Sequence, residues 1–331
     1  MKTCGIIAEY NPFHKGHIYH IQKSKEITQC DCLIVIVSSI YSQRGLPSFL
    51  SRHDKTKLAL KYGANLVLEL PACFACQSAD YFARYAIQSL SVLDIDCLCF
   101  GSESNDINTL QSISLKETID PKKNINQNQK LSLKPNDILG YQYIQHCKEF
   151  KIQPISIQRE EAFKSATQTR LDAYYTNQDF QEYFHLEQNW NSYYPYLRYF
   201  LQMSSPESLA QFHLVNEGIE YRFIQASHHK NWNDFLNACI SKTYTKARIQ
   251  RTCMMILLQI RKEDMPSSFY GCRVLGFDSI GQSLLKEKKE KPIYTRFKDL
   301  PLFLQEVERK SKALYTTFSN IEDRMIIYDR Y

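Results

Sequence analysis

Two histidines near the start of the chain, His14 and His17, have the type and spacing expected of a phosphate-binding site. They belong to the run NPFHKGH at 11–17, which follows a short apolar segment and precedes apolar residues at helical spacing. This pattern predicts a buried strand, a tight turn and the start of a helix. Because a helix N-terminus carries unpaired N–H groups and the positive end of the helix dipole, the turn can bind an anion, and two imidazoles beside it indicate a phosphate.

A less specific interpretation stands beside this one. In it, one histidine only caps the helix and the other is a surface residue. The position of the motif favours the functional interpretation, because a strand, a turn and a helix at the start of a chain are the setting of the first βα turn of a nucleotide-binding sheet. Gly16 would let a bound group approach the backbone closely, and Pro12 would fix the path of the chain into the turn.

Strands and helices alternate along the first half of the chain. Continuous apolar runs, typical of strands buried on both faces, lie at 32–37, 65–70, 97–100 and 155–157. Helical patterns separate or follow them, at 51–62, 77–93 and 136–150, with a further helix opening at 165. The alternation predicts an α/β fold with a doubly wound parallel sheet of the Rossmann type.

Polar residues follow the carboxyl ends of these strands, where ligands bind in open α/β sheets. Arg44 and Arg159 are candidate phosphate contacts, and Gly101 would let a base or ribose lie against the backbone. The segment SATQTR, which ends at Arg170, opens a helix with hydroxyl groups and a guanidinium that suit phosphates. Ordinary structural explanations stay open: a solvated loop arginine, a turn glycine, and a helix cap in the case of Asn136.

The chain changes character after the first half. Residues 116–135 are polar and lack periodicity, so we expect a loop or linker there. From about residue 176 the composition shifts, and residues 178–203 are crowded with Tyr, Phe, Trp, Gln and Asn, which is typical of helices with aromatic packing faces. We therefore expect two domains, a catalytic domain at 1–175 and a mainly α-helical domain at 176–331.

Two helices are rich in basic residues. The helix at 51–62 carries charges that we expect to form a solvated face, with Ser51 as its N-cap. A second, long helix is predicted to begin at Ser241, and the front of it carries a basic patch, which suits the phosphates of a nucleic acid. The patch consists of Lys242, Lys246, Arg248 and Arg251.

Composition sets the outer limits. The 331 residues, 44% of them hydrophobic, suffice for two domains, and a net charge of +6 permits a nucleic-acid partner without requiring one. No apolar run approaches the roughly 20 residues that span a bilayer, so we expect a cytoplasmic protein without membrane contact, and nothing implies a protein partner. The eleven cysteines lie mostly in apolar runs, as reduced core thiols would, although a zinc site is the alternative. Such a site would draw on Cys30, Cys32, Cys73, Cys76, Cys97 and Cys99.

The run GIIAEYNPFHKGHIYH at 5–20 resembles the H-x-G-H signature of the nucleotidylyltransferase superfamily, and it closely resembles one branch, the bacterial tRNA(Met) cytidine acetate ligases. Similar segments are QRG at 43–45, FGSE at 100–103, PNDILG at 135–140 and SATQTR at 165–170. The resemblance is dense over 4–175 and patchier over 241–285. One departure is the loop EEAFK at 160–164, where the family usually carries Tyr-His-Asp.

The resemblance implies a nucleotidylyltransferase-like catalytic domain and a set of site residues. His14, His17 and Lys15 would be catalytic, and Arg44, Lys246, Arg248 and Arg251 would contact tRNA, while no metal ligand from the protein is expected. The implied ATP-binding residues are Ile7, Ala8, Glu9, Tyr10, Asn11, Pro12, Phe13, His14, Lys15, Gly16, His17, Ile18, Tyr19, His20, Gly101, Asn136, Arg159 and Arg170.

The implied reaction joins acetate to the exocyclic amine of the wobble cytidine of elongator tRNA(Met), through acetyl-adenylate, with ATP as substrate and Mg²⁺ bridging its phosphates. Acetate is ionised at pH 7, so its attack on the α-phosphorus requires positioning and charge neutralisation rather than a general base. Two other functions stay open from the residues: adenylyl transfer to a small cofactor precursor, and non-catalytic RNA binding on the same fold. Loss of activity on mutation of Lys246 and Arg248 would argue against the first, and ATP binding would argue against the second.

Overall fold

Eight strands form one mixed sheet in a computed structural model that describes residues 1–112, 134–160, 162–266, 269 and 271–329. The strands are β1 Thr3–Ala8, β2 Cys32–Ser38, β3 Leu66–Leu70, β4 Cys97–Ser102, β5 Gln153–Gln158, β6 Cys272–Phe277, β7 Ile293–Tyr294 and β8 Ile326–Ile327. Their order is β5-β4-β1-β2-β3-β6-β7, and β8 pairs with β6. β1 to β5 are parallel to one another, which confirms the predicted doubly wound sheet.

The apolar runs form central strands because both of their faces are covered. Along β2, Leu33 and Val35 belong to one buried cluster and Ile34 and Ile36 to the other, as the two-residue period of a strand requires. The sheet order reverses at β1, which has β2 on one side and β4 on the other. A crevice therefore opens at the carboxyl ends of β1 and β4, where open α/β sheets bind ligands.

The last part of the chain returns to the sheet, which was not predicted. β6 pairs antiparallel with β3, and β7 and β8 both pair with β6. The run CRVLGF at 272–277 is fully buried. β6 therefore covers the edge that β3 would otherwise expose, so the chain after residue 176 is mainly helical but supplies three strands as well.

Fourteen helices surround the sheet in the described ranges. They are α1 Lys15–Thr28, α2 Arg52–Lys61, α3 Ala72–Ala75, α4 Ala79–Ser91, α5 Ile107–Ser112, α6 Pro135–Phe150, α7 Ala166–Asp172, α8 Trp190–Met203, α9 Pro206–Leu209, α10 Ile219–Ala226, α11 Trp232–Cys239, α12 Lys246–Leu257, α13 Ser279–Glu287 and α14 Leu302–Thr316. Ser51 caps α2, as predicted. The predicted start of α12 at Ser241 was wrong, because Thr245 accepts the N–H of Arg248 as the N-cap and the helix begins at Lys246, five residues later.

The charges of α2 were expected to form mostly a solvated face, which holds for Lys57 and Lys61 but was wrong for Arg52 and Lys55. Arg52 is 3% exposed and Lys55 is completely buried. Arg52 contacts Glu69 at 3.2 Å, Glu308 at 2.5 Å and Asp323, so it links β3, α14 and the C-terminal tail. A charge at this depth is stable only because its partners are fixed around it.

The aromatic segment packs as the sequence predicts. Trp190 in α8 stacks on Trp232 in α11 with ring centroids 4.2 Å apart, and Tyr193 and Tyr194 are buried beside them. These residues belong to the same buried cluster as one face of the sheet. The division into domains at residue 175 stays a prediction.

The cysteines are buried free thiols, as expected. Within the described ranges, no helix combines the length and apolar character needed to cross a membrane. Most of the predicted loop at 116–135 lies outside the described residues.

Candidate active site

A cavity of about 910 Å³ opens at the carboxyl ends of β1, β4 and β5. One part of its wall comes from the end of β1 and the first turns of α1, and another from the loop at 42–46. The rest comes from α4, α6, the segment at 157–170 and Ala247 of α12. The cavity therefore lies at the reversal point of the sheet and reaches the basic helix of the second half.

His14 and His17 meet at the start of α1. His14 is the N-cap, and its Nδ1 accepts a hydrogen bond from the N–H of Gly16 at 3.1 Å. His17 Nδ1 accepts one from the N–H of His14 at 3.1 Å, and the two ring centroids are 3.9 Å apart. The pair forms a capping box made of imidazoles, so the capping interpretation holds for His14 while both rings also line the cavity.

These contacts fix the protonation of both rings. A nitrogen that accepts from an N–H carries no proton, so each neutral ring carries its proton on Nε2. Burial, followed by the charge of Arg159, lowers the pKa of His14 to about 4, and burial lowers the pKa of His17 well below its ordinary value. At neutral pH the two histidines are uncharged N–H donors.

Two further polar groups of the cavity wall have no hydrogen-bond partner in the described part of the chain. They are the hydroxyl of Tyr10 and Nε2 of His20, and both atoms are buried. Burial lowers the pKa of His20 to about 4. A polar ligand would satisfy such groups, whose isolation otherwise costs about 1–3 kcal/mol each.

Most of the predicted ATP-binding residues meet at the cavity, but some do not. Those that line it are Ile7, Ala8, Glu9, Tyr10, Asn11, His14, Gly16, His17, Tyr19, His20, Gly101, Asn136, Arg159 and Arg170. Pro12, Phe13, Lys15 and Ile18 are absent from its wall. Phe13 is buried among aromatic rings, and Lys15 is 63% exposed and pairs with Asp179 at 3.2 Å.

The lack of a side chain at Gly16 has a structural role as well as letting a ligand approach. A Cβ at this position would lie 2.9 Å from Cε1 of His14 and 3.0 Å from its Nδ1. The glycine therefore lets the His14 ring fold over the first turn of α1. Gly101 is less constrained, because the nearest atom to a Cβ there would be Cγ of Arg159 at 3.4 Å.

The prediction that Asn136 caps α6 was wrong. The N-cap position is Lys134, Pro135 begins the helix, and Glu103 from the end of β4 accepts the N–H groups of Asn136 and Asp137, each at 3.1 Å. The Asn136 amide also donates to Glu103. Since a proline at the first helical position needs no donor partner, the carboxylate serves the next two N–H groups and fixes Asn136 at the wall.

Arg170 joins α7 to the turn before α1. Its guanidinium donates to the carbonyl oxygen of Asn11 and, at 3.2 Å, to the Thr167 hydroxyl. The side-chain amide of Asn11 in turn holds the next loop, because it donates to the carbonyl of Pro47 and accepts the N–H of Phe49, each at 3.0 Å. The turn, α7 and the loop therefore form one connected wall.

The predicted tRNA-contact residues divide into two groups. Arg44 lines the cavity, whereas Lys246, Arg248 and Arg251 are on α12, of which only Ala247 reaches the wall. Lys246 is exposed, and Arg248 lies over the ring of Tyr244 and pairs with Glu217 at 3.2 Å. Burial lowers the pKa of Arg251 to about 10.

The loop at 160–164, in which the sequence departs from the family, also lines the cavity. Phe163 packs near the ring of Tyr19, with centroids 5.8 Å apart, and the Tyr19 hydroxyl donates to Glu160 at 3.4 Å. Lys164 pairs with Asp172 at 2.8 Å. Glu161 lies outside the described residues.

Several residues of the wall were not singled out from the sequence. Gln43, Phe82, Leu139 and Tyr143 are among them, as is Glu103. Gln43, Glu103 and Leu139 lie inside the segments QRG, FGSE and PNDILG but were given no role there, whereas Phe82 and Tyr143 have the same pattern as core residues. The arrangement offers neutral N–H donors, three arginines and an apolar wall, which together suit a nucleotide whose phosphates lie near α1.

Other proteins are similar in sequence to this chain over nearly its whole length. The family model described as HIGH Nucleotidyl Transferase matches residues 1–133 and 116–325. A protein of Anoxybacillus flavithermus named tRNA(Met) cytidine acetate ligase is 31% identical, with 96% of this chain and 95% of the relative covered. One of the same name from Listeria monocytogenes is 33% identical, with 98% and 96% covered.

Solved structures agree with the sequence relatives. The crystal structure of Thermotoga maritima TmcAL bound with alpha-thio ATP has a TM-score of 0.84 and 28% identity, covering 98% of this chain and 96% of that one. The apo structure of the same protein has a TM-score of 0.85 and 25% identity, with 99% of both chains covered.

Proposed function

Because the chain belongs to the HIGH nucleotidyl transferase family and, within it, to the tRNA(Met) cytidine acetate ligases, we propose that it activates acetate with ATP and transfers the acetyl group to a cytidine of tRNA(Met). The reaction makes it an ATP-dependent ligase. A relative of the same fold was crystallised with alpha-thio ATP, which supports ATP as the substrate here. Such a substrate pair implies a cytoplasmic enzyme.

The single observation that carries the proposal is the neutral histidine pair. His14 and His17 present Nε2–H groups beside the N-terminus of α1, in a cavity that Arg159 and Arg170 also line. Neutral donors stabilise a phosphate without forming a tight ion pair, so the departing pyrophosphate can still leave. The guanidinium groups of Arg159 and Arg170, which line the same cavity, supply positive charge.

In the first half-reaction, an acetate oxygen attacks the α-phosphorus of ATP and pyrophosphate leaves. No proton has to move, because acetate is already ionised. The chain's contribution is to hold the reacting groups in line and to donate hydrogen bonds to the phosphate oxygens as charge develops on them. Lys15 is proposed to serve the outer phosphates, which requires its exposed side chain to leave Asp179.

Magnesium is part of the proposal as an ion carried by ATP. No group of three or more His, Cys, Asp or Glu side chains arranged to hold a metal occurs in the described ranges. Mg²⁺ bound to ATP does not need such a group, because it usually keeps several waters and is held by phosphates with one or two carboxylates. When bound, the ion would neutralise charge on the phosphates.

In the second half-reaction, the exocyclic amine of cytidine takes the acetyl group. The amine is a weak nucleophile, because its lone pair is shared with the ring, so the acetyl group has to arrive activated as the adenylate. We propose that residues 176–331 carry most of the tRNA contact, with Lys246, Arg248 and Arg251 on α12, and that Arg44 meets the anticodon loop at the cavity mouth. Residues 1–175 would form the ATP-binding catalytic half.

The test measures both halves of the reaction. Purified protein is given labelled ATP, acetate and unmodified elongator tRNA(Met); pyrophosphate release is followed, and the tRNA nucleosides are then analysed by mass. Acetylated cytidine that forms with wild type and disappears with His17→Ala is the expected result. Adenylate formation without acetylated cytidine would point to another acceptor, such as a cofactor precursor, and absence of ATP binding would indicate a non-catalytic RNA-binding protein.

A further inference from the structure

Glu9 lies one residue beyond the end of β1, on the opposite side of that strand from the adjacent Ala8 and Tyr10. Ala8 and Tyr10 belong to the buried cluster under α1, whereas Ile7 packs against the cluster on the other face. The Glu9 carboxylate accepts a hydrogen bond from the N–H of Gln43. It therefore faces the loop at 42–46 rather than the histidine pair.

The surroundings of this carboxylate are mostly apolar and cationic. It lies near enough to Tyr143 and Cys76 to reinforce the burial that raises the pKa of both groups. Its charge also acts on Lys55 and Arg170, but no ion pair within 4.0 Å of Glu9 occurs in the part of the chain that the structure describes. Burial lowers the pKa of Lys55 to about 7, and its ammonium donates instead to the carbonyl oxygen of Ser38 at 2.8 Å.

Three carboxylates line the cavity, and Glu9 differs from the other two. Glu103 is occupied by the N-terminus of α6, where it accepts from Asn136 and Asp137. Glu160 is exposed and accepts from Tyr19 on the α1 side. Glu9 has one hydrogen bond from a described residue, through Oε1, which leaves Oε2 available to a ligand.

The loop that Glu9 contacts is also where the two halves of the protein meet. Arg44 lines the cavity next to Gln43, and the backbone of Gly45 lies against the backbone of Arg251 on α12. Ala247, one residue after the exposed Lys246, reaches the cavity from the same helix. Glu9 therefore contacts the loop that carries Arg44 and packs against α12.

From this position we infer that Glu9 is the catalytic base of acetyl transfer, receiving a proton from the exocyclic amine of the acceptor nucleobase. The inference rests on the proposed function. The amine nitrogen forms a bond to the carbonyl carbon of acetyl-adenylate, and the bond from that carbon to the phosphate oxygen breaks. AMP leaves with that electron pair. One of the two amine protons passes to Oε2 of Glu9, and the other stays on the amide.

A merely structural role for Glu9 would be to hold the loop at 42–46 through Gln43. Glu9→Gln separates the two roles, because an amide oxygen still accepts the Gln43 N–H but does not take up a proton at neutral pH. The variant is compared with wild type in acetate-dependent exchange of labelled pyrophosphate into ATP, which reports adenylate formation. Single-turnover transfer of labelled acetate to unmodified elongator tRNA(Met) reports the second step.

We expect Glu9→Gln to reduce the transfer rate by about 10²- to 10⁴-fold more than it reduces pyrophosphate exchange, the usual contribution of a positioned acid or base. Glu9→Asp keeps a carboxylate on a shorter side chain, so its transfer rate should fall between those of wild type and Glu9→Gln. Glu160→Gln removes the same charge from the other side of the cavity and should affect transfer far less.

The outcomes distinguish this inference from the proposed function. Transfer by Glu9→Gln at the wild-type rate overturns the role of base, as does an equal loss in Glu160→Gln or a parallel loss of pyrophosphate exchange. If Glu9→Gln does not fold, as judged by its melting temperature, Glu9→Asp carries the test, and a loss of pyrophosphate exchange there that equals the loss of transfer overturns the inference. Wild-type protein that exchanges no pyrophosphate with acetate would overturn the proposed function itself.

Discussion

Substitution of His14 separates the two roles that this side chain combines in the structure. Its Nδ1 caps α1 by accepting the N–H of Gly16, while the ring lines the cavity and carries its proton on Nε2. A helix cap alone would account for the first contact. His14→Asn replaces the cap and removes the donor, whereas His14→Ala removes both.

The magnitudes follow from these contacts. Asparagine is among the best N-cap residues, so His14→Asn should be nearly as stable as wild type, and His14→Ala should lose about 1 kcal/mol of unfolding free energy. For a chain of 331 residues, that loss lowers the melting temperature by about 1.5 °C. Both variants lack the Nε2–H group, so both should lose about 10²- to 10³-fold in adenylate formation, or about 3–4 kcal/mol of transition-state stabilisation.

Two assays check the pair of variants. Thermal unfolding reports the cap, and acetate-dependent exchange of labelled pyrophosphate into ATP reports the donor. We expect stability to decrease in the order wild type, His14→Asn, His14→Ala, whereas pyrophosphate exchange should be equally low in both variants. Recovery of wild-type exchange in His14→Asn would refute it, because the histidine would then be no more than a cap.

Four further perturbations test other parts of the structure. Lys246→Ala should weaken tRNA binding and reduce the slope of log affinity against log salt by about one, as measured by filter binding at several salt concentrations, while pyrophosphate exchange stays at the wild-type rate. Gly45→Ala would place a Cβ 2.6 Å from the backbone nitrogen of Arg251 at a φ of +71°, so denaturant unfolding should show a loss of about 2–5 kcal/mol. Arg52→Ala leaves buried carboxylates without their guanidinium and should cost about 3–5 kcal/mol, or about 4–7 °C in melting temperature, whereas Lys23→Ala breaks an exposed pair and should cost less than about 0.5 kcal/mol. Burial lowers the pKa of His14 and of His20 to about 4 and lowers the pKa of His17 well below the ordinary 6.5, so the unfolded chain binds more protons than the folded protein in this range and unfolding free energy should fall as pH drops from about 6.5 towards 4; a flat profile would contradict their burial.

The five parallel strands were predictable because each has a local sequence pattern that is typical of a strand. A strand covered on both faces is a continuous apolar run, as β2 is, and β1 to β5 all lie where strands were predicted, although β3 contains Glu69 and the edge strand β5 is only partly buried. The antiparallel β6 was not predicted, although CRVLGF is just as apolar. That run forms a strand because it pairs with β3, about two hundred residues earlier in the chain. A local sequence pattern does not reveal a partner that is so distant in sequence.

Side-chain environments within helices were less predictable than the helices themselves. The charges of α2 look like a solvated face, yet Arg52 and Lys55 are buried because partners from β3, α14 and the turn after β2 meet them there. Ser241 and Thr245 are equally good caps by type, and the structure uses the second. In both cases contacts distant in sequence decide between local options of similar free energy.

The site residues whose chemical type suits a nucleotide were predictable, whereas the apolar residues that only form the cavity wall were not. His14, His17, Gly101, Arg159 and Arg170 do converge on one cavity, because they follow strands whose carboxyl ends share an edge. Lys15 lies inside the same motif but points away, since neighbours on a helix face different directions. Tyr143 and Phe82 look like core residues in the sequence, because pocket walls and cores are built from the same apolar side chains.

The reversal of strand order at β1 also explains why two half-reactions can share one cavity. The histidines lie at the start of α1, whereas the Glu9 carboxylate contacts the loop at 42–46, so the turn after β1 presents them to different parts of the cavity wall. The phosphates of ATP and an incoming nucleobase can then approach the same point from different sides without competing for donors. Since the backbone of Gly45 lies against α12, the position of that loop depends on the helix that we propose to hold tRNA. The side of the cavity that we propose for the acceptor is therefore built jointly by the two halves of the chain, and the second half also reaches the histidine side, where Asp179 pairs with Lys15.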